Sequence, residues 1–383
     1  MIPKLKELTW ERAADEIVVA FDPTEQLVLA DPSGQVEALF GLLREGTRDT
    51  DQLARELAGR YPDVTADEVE SAIEALDELR LLDDAQRMPL PAAQAERYFS
   101  NLAFFDTFAS LERPAEHFQQ RLLDAHVVVL GAGGLGSTVL MNLAGLGVGR
   151  LTLLDDDLVE PRNFARQFLY AHADIGTSKV ERAAGRLEAF DPALRIRTVK
   201  SRVRGAAEVA SLLDGADLLV TGIDRPTEVD LWVNEACLAA GVPYVRGAML
   251  PTRVIYWSVD PGRSACYACA LRADAESAAG SGTAGVARRL APELPTINRG
   301  IGPVASLIGS LVAMEALRYL TGFAAPVAAG RFRLVDFRAG LAETEQPWPR
   351  DPDCAACASV PESPSLRAAQ PASSALGSPM WTG

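Results

Sequence analysis

The sequence predicts an α/β protein with a mostly parallel sheet between flanking helices, preceded by a small α+β module. From residue 127 onward, apolar runs of strand length alternate with segments whose apolar residues recur at helical spacing, as in β-α-β units. Before residue 85, two strand-like segments are followed by three segments of helical period. The 383 residues leave room for both parts, and the hydrophobic content of 48% is enough to build both cores.

The larger part begins with a glycine-rich turn, Gly131-Ala132-Gly133-Gly134-Leu135-Gly136-Ser137, directly after the apolar run Val127 to Leu130. Glycine lets the backbone approach a phosphate, whose charge is stabilised by the N–H groups at the start of the next helix. Asp155 follows the next apolar strand, at the distance where Rossmann-like folds place a carboxylate for a ribose hydroxyl. The predicted nucleotide contacts in the turn are Gly131, Gly133, Gly134 and Gly136.

Polar residues beyond this second strand favour ATP over a nicotinamide dinucleotide. Arg166 and Lys179 can neutralise phosphates. Asn163 and Gln167 can hydrogen-bond to the phosphates or the sugar. Asp224, at a later strand end, can hold magnesium. The sequence therefore predicts an ATP site with a magnesium ligand.

In these motifs and their order, the chain resembles the ubiquitin-activating-like adenylyltransferases of the MoeB/ThiF type, which join AMP to a C-terminal carboxylate. The resemblance implies that Asp155 binds ribose, that Asp224 binds magnesium, and that Asn163, Arg166 and Lys179 bind the triphosphate. It also implies a homodimer. It covers roughly residues 95–357 and rests on these motifs: Gly131 to Ser137, Asp155-x-Asp157, Asn163-x-x-Arg166-Gln167, Ile175-Gly176-x-x-Lys179-Val180, Asp224, and Gly309-Ser310-x-x-x-Met314-Glu315-Ala316.

Two positions depart from the family pattern. Arg97-Tyr98-Phe99-Ser100-Asn101 stands where the family carries Arg-Tyr-x-Arg-Gln, whose second arginine reaches phosphate in the partner subunit. Arg97, Arg113 or Arg121 could replace that cation, and weak turnover is the alternative. Arg225 follows Asp224 where the family has asparagine, which adds a cation beside the phosphates.

Four of the five cysteines form two pairs with the spacing of zinc ligands. Cys266-x-x-Cys269 and Cys354-x-x-Cys357 can close a tetrahedral thiolate site, and we expect a structural zinc ion there. Redox pairs or ordinary buried thiols are the alternatives. The fifth, Cys237, lies in an apolar helical stretch and is not expected to be a nucleophile. The predicted product is accordingly a released acyl-adenylate rather than an enzyme thioester.

Residues 1–85 read as a winged-helix-like module. Strands are expected at Glu16 to Phe21 and Gln26 to Ala30, followed by three helices. The net charge of the chain is -15, and residues 1–90 contain 21 acidic residues against 9 basic ones, which disfavours a nucleic-acid partner. The apolar helix faces consist of Val36, Leu39, Phe40 and Leu43; Leu53, Leu57 and Tyr61; and Val69, Ile73, Leu76 and Leu79.

This module resembles the PqqD-like leader-peptide recognition element of enzymes that modify ribosomally made peptides. The likeness lies in Gln26-Leu27-Val28-Leu29-Ala30, the helix near residues 35–43, Thr50-x-x-x-Leu53-Ala54-x-x-Leu57, and Val69 to Leu82. It implies that a leader peptide adds as a strand beside residues 26–30 and lies along the third helix. A module that only packs against the adenylation domain or mediates dimerisation is the alternative.

The predicted domain order is a PqqD-like module at 1–85, a linker at 86–96, a ThiF-type adenylation domain at 97–358 and a disordered tail at 359–383. Residues 275–287 are expected to form a mobile loop. The apolar helix Val304 to Leu320 could be a dimer surface or a core helix. Neither a signal peptide nor an apolar run near eighteen residues is evident, so we expect a cytoplasmic protein without membrane contact.

The expected function is ATP- and magnesium-dependent adenylation of the C-terminal carboxylate of a precursor peptide, delivered by its leader segment. One alternative is activation of a ubiquitin-like sulfur-carrier protein. The other is a weakly active or inactive leader-binding scaffold for a partner cyclodehydratase.

Overall fold

A computed structural model describes residues 1–22, 25–279 and 300–361. The chain divides after Gln120 into two compact units. Nearly all of the predicted tail and residues 280–287 of the predicted mobile loop lie outside the described residues. Residues 275–279, which were predicted to begin that loop, are instead the last residues of a helix at Tyr267–Ala279.

Two small antiparallel sheets form the β part of the N-terminal unit. Strands β2, β3 and β4 make one sheet in that order, and β1 pairs with β5. Strands β3 and β4 were predicted, whereas β1 and β5 have only three residues and therefore show no period. The strands are β1 (Pro3–Leu5), β2 (Thr9–Ala13), β3 (Glu16–Asp22), β4 (Glu25–Ala30) and β5 (Leu82–Asp84).

The three predicted helices of this unit are present, and their apolar faces form its core. Phe40, Leu43 and Leu53 are fully buried there. The helix at 66–78 begins with a capping box in which Glu68 N donates to Thr65 Oγ1 at 3.3 Å and Thr65 N donates to Glu68 Oε2 at 2.9 Å. The helices that begin in this unit are α1 (Gln35–Glu45), α2 (Thr50–Arg60), α3 (Ala66–Glu78), α4 (Ala92–Arg97), α5 (Phe99–Asp106) and α6 (Ala115–Asp124), the last of which continues past Gln120.

An eight-stranded sheet forms the centre of the second unit. Its order is β13-β12-β11-β10-β9-β6-β7-β8. The five strands from β10 to β8 are parallel, and β11, β12 and β13 run antiparallel at the other edge. This confirms the predicted fold class. The strands are β6 (His126–Leu130), β7 (Arg150–Leu154), β8 (Arg195–Val199), β9 (Leu218–Thr221), β10 (Tyr244–Met249), β11 (Arg253–Val259), β12 (Arg331–Asp336) and β13 (Ala342–Pro347).

The chain order of these strands reverses at β6. Strands β7 and β8 lie on one side of β6, and β9 and β10 lie on the other. Ligands of open α/β sheets bind at the carboxyl ends of the strands where such a reversal occurs. The fold therefore places the glycine turn after β6 and the residues after β9 at a single crevice. The helices of this unit are α7 (Gly134–Leu146), α8 (Lys179–Phe190), α9 (Ala206–Ala210), α10 (Val229–Ala240), α11 (Tyr267–Ala279) and α12 (Gly302–Thr321).

Helix α12 packs against α7 and β10. A Cβ atom on residue 309 would lie 2.5 Å from Thr138 Cβ, so glycine allows the two helices to approach closely. Glu315 is fully buried and accepts hydrogen bonds from the N–H groups of Val327 and Ala328 at 3.1 and 2.8 Å. Helix α12 has the length and composition of a membrane span, but 61% of that window is buried in the protein. These contacts are those of a core helix.

Candidate active site

The glycine turn between β6 and α7 is closed by the backbone. Gly131 has a φ of +97°, which only glycine adopts readily, and its N–H donates to Leu154 O at 2.7 Å. A Cβ atom on residue 136 would lie 1.8 Å from the carbonyl oxygen of Gly131. Glycine is therefore required at 131 and 136 for the turn to close at the start of α7.

Asp155 lies at the end of β7 and anchors this turn. Its Oδ2 accepts the N–H of Ala132 at 2.7 Å, and its Oδ1 accepts the N–H of Asp157 at 2.8 Å. The residue is 8% exposed, and burial raises the pKa of its carboxyl group, an effect opposed by the charge of Lys179. Each carboxylate oxygen has a second lone pair, so the predicted ribose contact is compatible with these hydrogen bonds.

Lys179 is the first residue of α8, and its side chain is only 5% exposed. Its Nζ donates to Asp157 Oδ2 at 2.7 Å. The Asp157 carboxylate is 60% exposed, so an anion that arrives from the solvent can compete with it for the ammonium group of Lys179. The structure thus brings Lys179, Asp155 and Asp157 into one cluster beside the glycine turn.

Asn163 is the last residue of a short 3-10 turn at Pro161–Asn163, and Arg166 lies just after this turn. Asn163 Oδ1 accepts the N–H of Glu160 at 2.9 Å, and the Asn163 carbonyl accepts the N–H of Arg166 at 3.0 Å. The aliphatic stem of Arg166 passes 3.2 Å from the position of a Cβ atom on Gly134, at the start of α7. Among the described residues, Arg166 has no carboxylate partner. Burial, and then the charge of Arg162, lower its pKa, which leaves a cation that an anionic ligand would stabilise.

Gln167 is 3% exposed and lies against Gly133, where a Cβ atom would be 3.7 Å from its Nε2. Its Oε1 is buried and has no hydrogen-bond partner among the described residues. A buried acceptor of this kind normally has a donor. This buried oxygen and the Arg166 guanidinium, which has no carboxylate partner in the described part of the chain, both fit a bound ATP, whose sugar hydroxyls donate and whose phosphates are anionic.

Asp224 follows β9 and is held by a residue that the sequence reasoning missed. Its Oδ1 accepts from an Nη atom of Arg246 at 3.0 Å, and Arg246 Nε donates to Asp230 Oδ1 at 2.8 Å. The Asp224 side chain is 70% exposed, whereas the Arg246 side chain is 5% exposed. The sequence feature that could have identified Arg246 is its place as an arginine inside an otherwise apolar strand. The second oxygen of Asp224 has no protein partner among the described residues, which fits a magnesium ligand.

Asp224 also lies next to the glycine turn, because a Cβ atom on Gly131 would be 2.8 Å from Ile223 Cγ2. A cavity of about 750 Å³ opens beside Asp224 and Arg225. The other residues of its lining are Arg202, Val203, Arg204, Pro226, Thr227, Glu228 and Trp232.

The alternatives for the missing family arginine have structural contacts of their own. Within the N-terminal unit, the guanidinium of Arg97 lies 5.6 Å from the ring centre of Tyr98, and that of Arg113 lies 5.7 Å from the ring centre of Phe118. That Arg97, Arg113 or Arg121 reaches a phosphate stays a prediction.

The four paired cysteines converge in the second unit, and all four are buried. The Sγ atoms are separated by 3.8 Å for Cys266 and Cys269, 3.7 Å for Cys266 and Cys354, and 3.6 Å for Cys269 and Cys357. A zinc ion with Zn–S distances near 2.3 Å requires sulfur separations of about 3.8 Å. The cluster could therefore hold zinc with all four positions filled. Cys237 is also fully buried, which raises the pKa of its thiol and disfavours a nucleophilic role.

These features define a nucleotide-binding α/β enzyme whose buried cations and strand-end carboxylates suit a triphosphate with its metal. The chain belongs to the ThiF family, whose model matches residues 106–356. It is 34% identical to the molybdopterin-synthase adenylyltransferase of Escherichia coli, over 62% of this chain and 89% of that protein. It is 31% identical to the SAMP-activating enzyme E1 of Haloferax volcanii, over 70% of this chain and 91% of that protein.

Solved structures of E. coli MccB share the fold along nearly the whole chain. The structure with ATP has a TM-score of 0.70 and 18% identity, and the match covers 93% of this chain and 99% of that one. The structure with AMPCPP and MccA has a TM-score of 0.69 at the same identity and coverage of this chain. With the family membership, these findings show an ATP-dependent adenylyltransferase that acts on a carboxylate.

Proposed function

We propose that this chain adenylates the C-terminal carboxylate of a precursor peptide in the biosynthesis of a ribosomally made, modified peptide. The N-terminal unit would bind the leader segment of that peptide. The observation that carries the proposal is the open edge of β4: among the described strands, β4 pairs only with β3. An unpaired edge offers N–H and C=O groups to which an extended peptide can add as a further strand.

The side chains of β4 suit such a partner. Val28 is 48% exposed, whereas Leu27 and Leu29 are half-buried and pack against the core of the unit. A peptide strand added beside β4 would therefore meet the apolar side chain of Val28 on the outer face of the sheet. The excess of acidic residues in this part of the chain also favours a basic segment.

In the adenylation step, a carboxylate oxygen of the substrate forms a bond to the α-phosphorus of ATP. The bond from that phosphorus to the bridging oxygen of the β-phosphate breaks, and pyrophosphate leaves. Arg166 and Lys179 would neutralise the triphosphate, Asp155 would hold the ribose, and Asp224 would hold magnesium. Magnesium, when bound, supplies positive charge to the phosphates. Hydrogen bonds of Asp155 to the turn and of Lys179 to Asp157 hold these two side chains in place before substrate arrives.

The likeness to MccB supports a peptide substrate, since MccB was solved with ATP and, as a microcin C7 biosynthetic enzyme, in complex with N-formylated MccA. The sequence relatives favour a second candidate. Their names include molybdopterin-synthase adenylyltransferase and sulfur carrier protein ThiS adenylyltransferase, so activation of a ubiquitin-like carrier fits them equally well. A scaffold that binds a leader without catalysis is the third possibility.

Magnesium-dependent exchange of pyrophosphate with ATP separates these three. We expect exchange only when the precursor peptide is present, and we expect it to weaken when the leader is removed. Exchange driven instead by a carrier ending in Gly-Gly would favour the second candidate. Tight binding of the peptide without exchange would favour the scaffold.

A matched pair of variants tests the edge of β4. Val28→Lys places a charge on the proposed peptide face and should weaken binding of the leader. Met88→Lys makes the same change at a position of the N-terminal unit that is 86% exposed and lies outside its sheets. Equal peptide affinity for the two variants would remove β4 from the proposal.

We also propose that the four paired cysteines hold a structural zinc ion. The buried thiolates leave no position for water, so the metal would join the segment after β13 to the start of α11. Trp348 supports the same junction, because its Nε1 donates to Cys266 O at 3.1 Å.

A further inference from the structure

Arg246 occupies an unusual position for a charged residue. It lies within β10, between β9 and β11 of the central sheet, and is 4% exposed. Charged residues are almost never buried this deeply unless they are paired. Arg246 has two carboxylate partners, Asp224 and Asp230, and it also donates to the carbonyl of Gly247. Burial acts to lower the pKa of Arg246, but the charges of Asp230 and Asp224 outweigh it and raise the pKa.

The two carboxylates differ in their surroundings. Asp230, in the first turn of α10, is 18% exposed, whereas Asp224 is 70% exposed and lines the cavity that opens beside it and Arg225. Arg246 therefore connects a sheltered carboxylate to an exposed one. Its bond is to Oδ1 of Asp224, and Oδ2 of that residue has no hydrogen-bond partner among the described residues.

We propose that Arg246 and Asp230 are positioning residues for magnesium: they fix the exposed Asp224 carboxylate in a single orientation for the metal. This inference rests on the proposed role of Asp224. An aspartate on a loop loses rotational freedom when it binds a metal, and that loss weakens binding. A carboxylate that a buried arginine already holds has lost this rotational freedom before the metal binds.

A change in net charge is a competing explanation for any change in metal binding. Variants of Asp224, Arg246 and Asp230 allow the effect of charge to be separated from the effect of orientation. Two carboxylates and one guanidinium carry a net charge of -1. The double variant Arg246→Met/Asp230→Asn leaves Asp224 alone with the same net charge but without its anchor. A change in metal binding by this variant consequently reports orientation and not the overall charge.

The chain contains a matched control on the same sheet. Arg333, on β12, donates to Glu343 and Glu345 of β13, with both distances at 2.8 Å. The variant Arg333→Met/Glu343→Gln removes an arginine and one of two carboxylates in the same way. Neither strand β12 nor strand β13 borders the glycine turn.

The test uses Mn²⁺ as the probe and measures its binding to the full chain by electron paramagnetic resonance, in the presence of a non-hydrolysable ATP analogue. We expect the Arg246→Met/Asp230→Asn variant to need about fivefold more Mn²⁺ for half-saturation, the scale of one ordered side chain. The Arg333→Met/Glu343→Gln variant should bind like the wild type. If the first variant also binds like the wild type, the inference is overturned.

Two further variants complete the test. Arg246→Lys keeps the charge but cannot form the same pair of hydrogen bonds, so it should weaken Mn²⁺ binding even if the double variant fails to fold; wild-type binding by a folded Arg246→Lys protein would overturn the inference. Asp224→Asn tests the underlying function separately. If Asp224→Asn leaves Mn²⁺ binding unchanged, the metal assignment fails, whereas a loss there with no effect at Arg246 overturns only the positioning role.

Discussion

Lys179 Nζ and Asp157 Oδ2 are joined by a hydrogen bond of 2.7 Å, and the backbone N–H of Lys179 donates to the carbonyl of Asp157 at 3.1 Å. The second bond fixes the start of α8 to the loop after β7. The first pairs the buried ammonium group with a carboxylate. In the role that we propose for Lys179, a triphosphate would displace Asp157 from this ammonium group, so binding would exchange one anion for another.

The first prediction follows from this exchange. Lys179→Met should lower AMP transfer by about 100-fold or more, because it removes the buried cation that we propose neutralises the triphosphate. Lys200→Met is the control, since Lys200 is exposed after β8. Rates of adenylate formation in a single turnover would check it. Similar rates for the two variants would show that Lys179 serves only to hold Asp157.

The second prediction compares two glycines of α7. Gly136→Ala would place a methyl group 1.8 Å from the carbonyl oxygen of Gly131, so the turn must open and ATP binding should be lost. Gly145→Ala meets nothing within 4 Å on the same helix and should stabilise the protein by roughly 0.5–1 kcal/mol. Calorimetric titration with ATP and thermal melting of both variants measure the two effects. ATP affinity retained by Gly136→Ala would contradict the phosphate role of the turn.

The sequence predicted those features of the fold and the site that depend on short-range residue spacing. The glycine turn and the carboxylate after β7 are each set within a few residues, so their spacing identified them. The antiparallel pairing of β11 with β12 joins distant segments, with Arg253 opposite Asp336, and no local period reports such a pairing. Helix α12 was ambiguous, because an apolar face looks alike whether it meets the core or a second subunit.

Arg246 shows the same limit at the site. An arginine between apolar residues of a strand gives no indication of which carboxylates it will meet. Asp224 and Asp230 reach it only because β9 and α10 are brought beside β10. The sequence therefore indicated Asp224 by its place at a strand end, but not the buried cation that holds it.

The third prediction concerns the cysteine cluster. Purified protein should contain one zinc ion per chain, and Cys354→Ser should reduce that content and lower the melting temperature, because a structural metal contributes directly to folding. Cys237→Ala is the control, as Cys237 is buried on α10 and is not a member of the cluster. Metal analysis by mass spectrometry gives the stoichiometry. Metal-free wild-type protein with an unchanged melting temperature would exclude a structural zinc.

The fourth prediction is a pH dependence of stability that originates at His126, the first residue of β6. Its Nδ1 lies 3.0 Å from the carbonyl oxygen of Gly215, which can only accept, so this nitrogen carries the proton. Burial lowers the pKa of His126, which favours the neutral ring in the folded protein. In that form its Nε2, 2.9 Å from Thr152 Oγ1, accepts from that hydroxyl.

The sign of the effect follows from proton binding. Below a pH of about 6.5 the unfolded chain takes up a proton at His126, whereas the folded chain stays neutral there until the pH reaches its lower folded-state pKa. Across that window, His126 reduces stability by up to about 1.4 kcal/mol per pH unit as the pH falls. His126→Gln should therefore show a shallower acid loss of unfolding free energy in urea titrations. Thr152→Val, which removes a hydrogen bond but keeps the imidazole, should be less stable and retain the wild-type slope; equal slopes for wild type and His126→Gln would contradict a neutral buried ring.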